Sequence, residues 1–183
     1  KTQPNEVRNI DYDRLVPGAI DLRNRLQKNL ARLKSWRRNN NIDCYRLYDA
    51  DLPEFAAAID VYGEHLHVQE YAPPPSIPAD TAQQRLRALG MVLEDVFSVP
   101  RNFIHIKRRQ RQRGSEQYRP TGKQSGAEFE VMEGGARLLV NLDDYLDCGL
   151  FLDSRGVRDF IAKQVNGKRF ANLFCYTASA TVR

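Results

Sequence analysis

The chain has 183 residues, with 28 Lys plus Arg against 23 Asp plus Glu, a formal net charge of +5 and 42% apolar residues. That length buries a real core and holds one or two small domains, and the apolar share is close to the globular norm. No apolar run approaches the roughly 20 residues of a membrane helix, and the polar stretch Lys1 to Asn9 does not read as a signal peptide.

The chain lacks an initiator Met and ends at Thr181-Val182-Arg183, so the expectation is a piece of something longer. The charge is unevenly spread. Residues 1–40 carry a net +6, residues 101–123 a net +7, and all the rest a net −8. Two basic segments on an acidic body suggest a partner dense in negative charge, with nucleic acid the first candidate. The three cysteines, Cys44, Cys148 and Cys175, are widely spaced and form no CxxC pair. That pattern argues against a disulfide framework or a Cys-based zinc site and fits a reducing cytoplasm.

Leu22, Leu26, Leu30 and Leu33 recur at helical spacing and predict a helix over 17–38. Pro17 suits its first turn, Arg37 and Arg38 its last, and Asn39 to Asn41 read as the stop. Such a basic helix is either an ordinary packed amphipathic helix or a linker lying on RNA. A strand is expected from Cys44 to Tyr48, then a hairpin of Phe55 to Tyr62 with His65 to Tyr71 around Gly63 and Glu64. Pro73, Pro74, Pro75 and Pro78 form a stiff connector. Asp80, with Gln83 three residues on, reads as the N-cap of a helix that buries Leu86, Leu89, Leu93, Val96 and Phe97. A short strand at Phe103 to Ile106 runs into Lys107, and Glu128 to Met132 pairs with Arg137 to Leu142 around Gly134 and Gly135. Asp153 reads as the cap of a helix to about Val165, and Arg169 to Phe174 as a buried strand ahead of the small residues Thr177 to Ala180.

The expected fold class is therefore α+β. A mixed or antiparallel sheet domain follows a helical arm and precedes the first helix and strand of a Rossmann-like domain. The expected spans are 1–42 for the arm, 43–150 for the α+β domain and 151–183 for the start of the Rossmann-like part.

The strongest local signal is Lys107-Arg108-Arg109-Gln110-Arg111-Gln112-Arg113. In extended form it presents cations on both sides of a ribbon and neutralises several phosphates. Arg119, beside Tyr118, suits stacking on an exposed base, and Arg37 and Arg38 add charge from the arm. The competing reading is a solvated loop. His65 and His67 share a strand face, but no convincing third ligand stands nearby, so no metal is expected. Asp143, Asp144 and Asp147 lack calcium-loop spacing and read as turn residues. No P-loop, GxSxG or HExxH motif occurs. A small-residue loop after a strand lets backbone N–H groups approach a ligand, and Arg155 and Asp153 suit an amino-acid-bearing nucleoside. By spacing alone, Asp153 is better read as a helix cap.

Three stretches, DCYRLYDADLPEF from Asp43, LLVNLDDYLDCGLFLDSR from Leu138 and NLFCYTASATV from Asn172, together resemble the bifunctional bacterial 23S ribosomal RNA guanine methyltransferases. The helical arm is similar to the linker between the two halves of those enzymes. The resemblance runs from about Asp21 to Arg183 and keeps the family's motif order. It implies the middle of such an enzyme: a linker, an α+β domain and the first elements of the half that methylates guanine N7, alongside a half acting on guanine N2. It implies S-adenosylmethionine as cofactor, 23S ribosomal RNA and the flanking domains as partners, and a cytoplasmic location. It carries Asp153, Arg155, Phe174, Tyr176, Thr177, Ala178 and Ser179 over as cofactor contacts; at Ala178 other members often have Gly. It places the catalytic loop beyond Arg183, so no catalytic residue and no turnover are expected of this chain alone. The alternative from another class is a non-catalytic RNA-binding or ribosome-assembly module.

Overall fold

The computed structural model describes residues 10–109, 128–145 and 147–183. It divides into two compact units: Lys1–Lys34 with Arg46–Gln110, and Ser35–Tyr45 with Arg111–Arg183. The described elements mix helices and sheets, as an α+β chain should.

Helix α1 (Ala19–Asn39), whose residues up to Lys34 belong to the first unit, begins two residues after Pro17. Leu22 and Leu26 are completely buried, and each such burial is worth about 1.5–3 kcal/mol. One helical turn on, the buried Asn29 side chain donates to the Leu47 carbonyl at 3.0 Å and to Asp51 at 2.9 Å. These contacts fix the rotation of the helix about its axis. The sheet has the order β1 (Cys44–Asp49), β2 (Ala57–Tyr62), β3 (His65–Tyr71), β4 (Ile104–Arg109). β2 and β3 form the expected antiparallel hairpin, with Val61 opposite Leu66. β2 is buried along its whole length, Asp60 included, as a strand covered on both faces should be.

β4 returns parallel to β3 by way of helix α2 (Ala79–Phe97), a βαβ crossover that makes the sheet, expected to be mixed or antiparallel, a mixed one. Asp80 is not the N-cap of α2. Pro78, with φ −58° and ψ 141°, holds that position, and Asp80 lies in the first turn, where a carboxylate still suits the helix dipole. The buried face of α2 is centred on Ala88, Leu89, Val92 and Leu93, while Val96 and Phe97 are half-buried. Ser98 ends the helix in the left-handed region.

In the second unit, β5 (Glu128–Glu133) and β6 (Ala136–Asn141) form the expected hairpin, but as a separate two-stranded sheet. Asp43 and Ile42 join its edge, through the Asp43 N–H on the Met132 carbonyl and an Ile42–Glu133 bridge. Helix α3 (Arg155–Val165) follows a single 3-10 turn, Leu152–Ser154, that contains Asp153. Asp153 is thus inside the preceding turn, and Ser154 holds the capping position without a side-chain bond.

The strand expected at Arg169 to Phe174 is not formed. Those residues have no strand partner among the described residues, and Leu173 and Phe174 are 86% and 96% exposed. A strand exists only where a neighbour takes up its backbone hydrogen bonds, which an apolar sequence run cannot guarantee. A four-residue helix, α4 (Ser179–Val182), closes the described chain.

Candidate functional site

The second unit brings two of the sequence-marked segments together. Gly149 sits at φ +90°, a conformation L side chains avoid, and turns its carbonyl to the Thr177 hydroxyl, which donates at 2.6 Å. Beside it the Phe151 and Tyr176 rings meet at 5.7 Å between centroids. The segment 147–155 and the loop 174–179 are thereby in register through two side-chain contacts. The loop is tight: Tyr176 and Ala178 both lie at positive φ, 49° and 60°, and the Ala178 N–H reaches the Cys175 carbonyl. Ala178 therefore adopts the backbone form for which Gly is the natural residue.

The cofactor candidates divide sharply. Asp153 is exposed and, among the described residues, accepts a 3.3 Å bond from the neighbouring Ser154 hydroxyl. Tyr176 is half exposed, and Ala178 and Ser179 are partly accessible. Phe174 stands in solvent. Arg155 is engaged elsewhere. Its Nε donates to Glu133 at 2.7 Å, its Nη2 to the Cys44 carbonyl, and its guanidinium lies 5.3 Å over the Trp36 ring.

Glu133 is fully buried and also receives Arg158, whose Nε and Nη2 donate at 2.7 and 2.9 Å. Arg158 further donates to the Phe151 carbonyl at 2.8 Å, which ties this ion cluster to the Phe151–Tyr176 contact. Burial, then the Glu133 charge, pushes the Cys44 thiol up to about 12, so this cysteine is an inert core residue. Sequence reasoning missed Glu133 and Arg158. Glu133 ends β5 on the strand face of Phe129 and Val131, opposite Glu128 and Glu130; that parity and the i,i+3 spacing of Arg155 and Arg158 on a helix face were the available signals.

The polyanion candidates are more scattered. Lys107 and Arg108 lie on β4 opposite Gln69 and Glu70, and Arg108 pairs with Glu70 at 2.8 Å while 64% of its side chain stays exposed. Arg109 ends β4. Arg111, Arg113 and Arg119 lie outside the described residues. Arg37 stacks 4.2 Å over Tyr45, and Arg38 is exposed. His65 contacts His105 at 3.0 Å and stacks on Phe103, whereas His67 is buried beside Tyr62. Among the described residues no group of three His, Cys, Asp or Glu is placed to hold a metal ion. Asp143 and Asp144 wrap the Asn141 side chain in a turn. Among the described residues no helix is long and apolar enough to cross a membrane.

Comparison with known proteins decides what this unit is similar to. No protein-family model matches the chain. It is 52% identical over 173 residues, 94% of its length, to the ribosomal RNA large subunit methyltransferase K/L of Stutzerimonas stutzeri, and 54% identical over 166 residues to that of Chromohalobacter salexigens. The chain is similar to one segment of the K/L methyltransferases. It spans about a quarter of their length, 24% and 22% for these two relatives. In fold it is similar to SMU.776, a protein named as a methyltransferase and solved with SAH, at a TM-score of 0.63 over 89% of this chain and 40% of that one. A SAM-dependent methyltransferase by name from Streptococcus mutans gives the same score over 92% and 42%. At 24% and 23% identity these two likenesses concern the fold.

Proposed function

We propose that the chain is the middle part of an S-adenosylmethionine-dependent 23S ribosomal RNA guanine methyltransferase that works in the cytoplasm. In this reading residues 1–42 are the linker arm, 43–150 an RNA-binding α+β domain, and 151–183 the start of the Rossmann-like domain of the N7-methylating half. The observation that carries it is the 52% identity to a K/L methyltransferase over 94% of the chain.

The open groups of the second unit fit the cofactor. Asp153 offers an exposed carboxylate to an ammonium or to ribose hydroxyls, and the Tyr176–Ser179 loop offers backbone at close approach. Thr177 holds that loop to Gly149. Arg155, spent on Glu133, positions the start of α3. When bound, S-adenosylmethionine supplies the methyl group carried on its sulfonium. The ribbon from Lys107 with Arg108, Arg109, Arg111, Arg113 and Arg119, and Arg37 and Arg38 of the arm, hold the RNA backbone. Catalysis is completed by flanking domains of the parent chain, so this chain alone turns nothing over.

Isothermal titration with S-adenosylmethionine tests the reading in a full-length K/L methyltransferase. Replacing the residue equivalent to Asp153 by Ala should weaken binding about tenfold or more, the worth of a charge-assisted bond. Unchanged affinity would remove Asp153 from the site. Turnover of 23S ribosomal RNA by the 183-residue chain would overturn the division of labour.

A further inference from the structure

The Phe151 and Tyr176 rings of the second unit are held in place by the fold yet left half in water. Phe151 is 48% and Tyr176 51% exposed, and their centroids lie 5.7 Å apart with the planes tilted by 37°. The backbone that carries both rings is pinned. The Phe151 carbonyl accepts from Arg158 at 2.8 Å, and Arg158 is itself locked to the buried Glu133. On the Tyr176 side, the Thr177 hydroxyl donates to the Gly149 carbonyl at 2.6 Å. Tyr176 sits at φ 49° and Ala178 at φ 60°, a backbone form that residues other than Gly rarely adopt and that clusters at binding sites.

The charges beside the rings favour a cation. Arg155 and Arg158, the guanidiniums nearest to Phe151 in the chain, are both held by Glu133. The exposed charge two residues from Phe151 is the Asp153 carboxylate. A carboxylate next to two π faces, with the nearby guanidiniums neutralised, is an electronegative surface. S-adenosylmethionine carries two cations, an ammonium and a sulfonium. The ammonium has N–H groups to donate and suits Asp153. The sulfonium has no hydrogen to donate, so it resembles a quaternary ammonium, the kind of cation that aromatic faces recognise best.

We propose that Phe151 and Tyr176 form an aromatic wall that receives the sulfonium of S-adenosylmethionine and sets the preference of the site for the charged cofactor. This proposal rests on the cofactor reading above and adds Phe151 and a specificity role to it. S-adenosylhomocysteine, the product, keeps the ammonium and the ribose, but its sulfur is neutral. The rings therefore favour cofactor over product, while Asp153 serves both alike.

The test is isothermal titration of a full-length K/L methyltransferase with S-adenosylmethionine and, separately, with S-adenosylhomocysteine. Phe151→Leu and Tyr176→Leu are made at the equivalent positions, and circular dichroism checks that the fold is retained. Each should weaken S-adenosylmethionine by about three- to thirtyfold, the range of a cation–π contact, and change S-adenosylhomocysteine by less than about twofold. Tyr176→Phe keeps a π face and should keep the wild-type ratio of the two affinities. If a Leu variant does not fold, Met at the same position also removes the π face and is read the same way. Equal weakening of both ligands, or no change in either, overturns the sulfonium contact, and the cofactor reading then stands on Asp153 and the 176–179 loop. A Tyr176→Phe variant as impaired as Tyr176→Leu overturns it too. If the wild-type enzyme binds neither ligand, both readings fall.

Discussion

The Glu133 carboxylate and the Arg158 guanidinium meet through two hydrogen bonds in the second unit, with both side chains at most 2% exposed. Arg155 shares the same carboxylate, so one anion serves two cations. Glu133→Ala leaves both guanidiniums in low dielectric without a counterion. The expected cost is about 3–5 kcal/mol in urea denaturation. Joint replacement of Glu133, Arg155 and Arg158 by apolar residues of similar volume should recover most of that loss.

A weaker version of the same chemistry is expected in the first unit. Asp60, 3% exposed at the centre of β2, accepts both Nε and Nη2 of Arg46 at 2.7 and 3.0 Å. Arg46 keeps 41% of its side chain in solvent, so it can rehydrate when the carboxylate goes. Asp60→Ala should cost about 2 kcal/mol, less than Glu133→Ala, by the same denaturation measurement.

Alkaline pH should loosen the fold through buried acids that hold their protons. Burial, followed by the Glu133 charge, raises the Cys44 thiol from 9.0 to about 12. Burial likewise raises the Tyr48 hydroxyl from 10.0 to about 12. Both folded values lie above the unfolded ones, so their contribution is complete below about pH 9 and drains as pH rises towards 12. The urea midpoint should therefore fall across that window. Cys44→Ala should flatten the fall above pH 9, whatever it does to stability at neutral pH.

The loop opposite Gly149 should respond to two substitutions of opposite sign. Gly149→Ala meets a φ of +90° and puts a methyl group 3.4 Å from Thr177 Cγ2, and should cost about 1–2 kcal/mol and loosen the Thr177 contact. Ala178→Gly relieves a left-handed alanine and should gain about 1 kcal/mol or less, the gain being limited by glycine's backbone entropy. Melting temperature and amide exchange at residues 174–179 read both effects.

Much of the local structure was legible in the residues. The leucine spacing of α1, the Gly63–Glu64 hairpin, the Gly134–Gly135 hairpin and the span of α3 all follow from period and turn chemistry, which act between neighbours in the chain. The two segments that meet at Gly149 and Thr177 were also marked in advance, because small residues beside a helix start are a local signature.

What sequence alone determined was therefore most of the elements and the uneven placement of charge. Tertiary structure decided which charges are spent. It buried Glu133 under two arginines, tied Arg155 to that carboxylate, and left Lys28, Arg32 and Lys34 exposed. It also decided that β4 runs parallel to β3 and that residues 169–174 form no strand. The reason is physical. A helix period is set by residues three or four apart, whereas an ion pair or a strand exists only if a distant group supplies its other half.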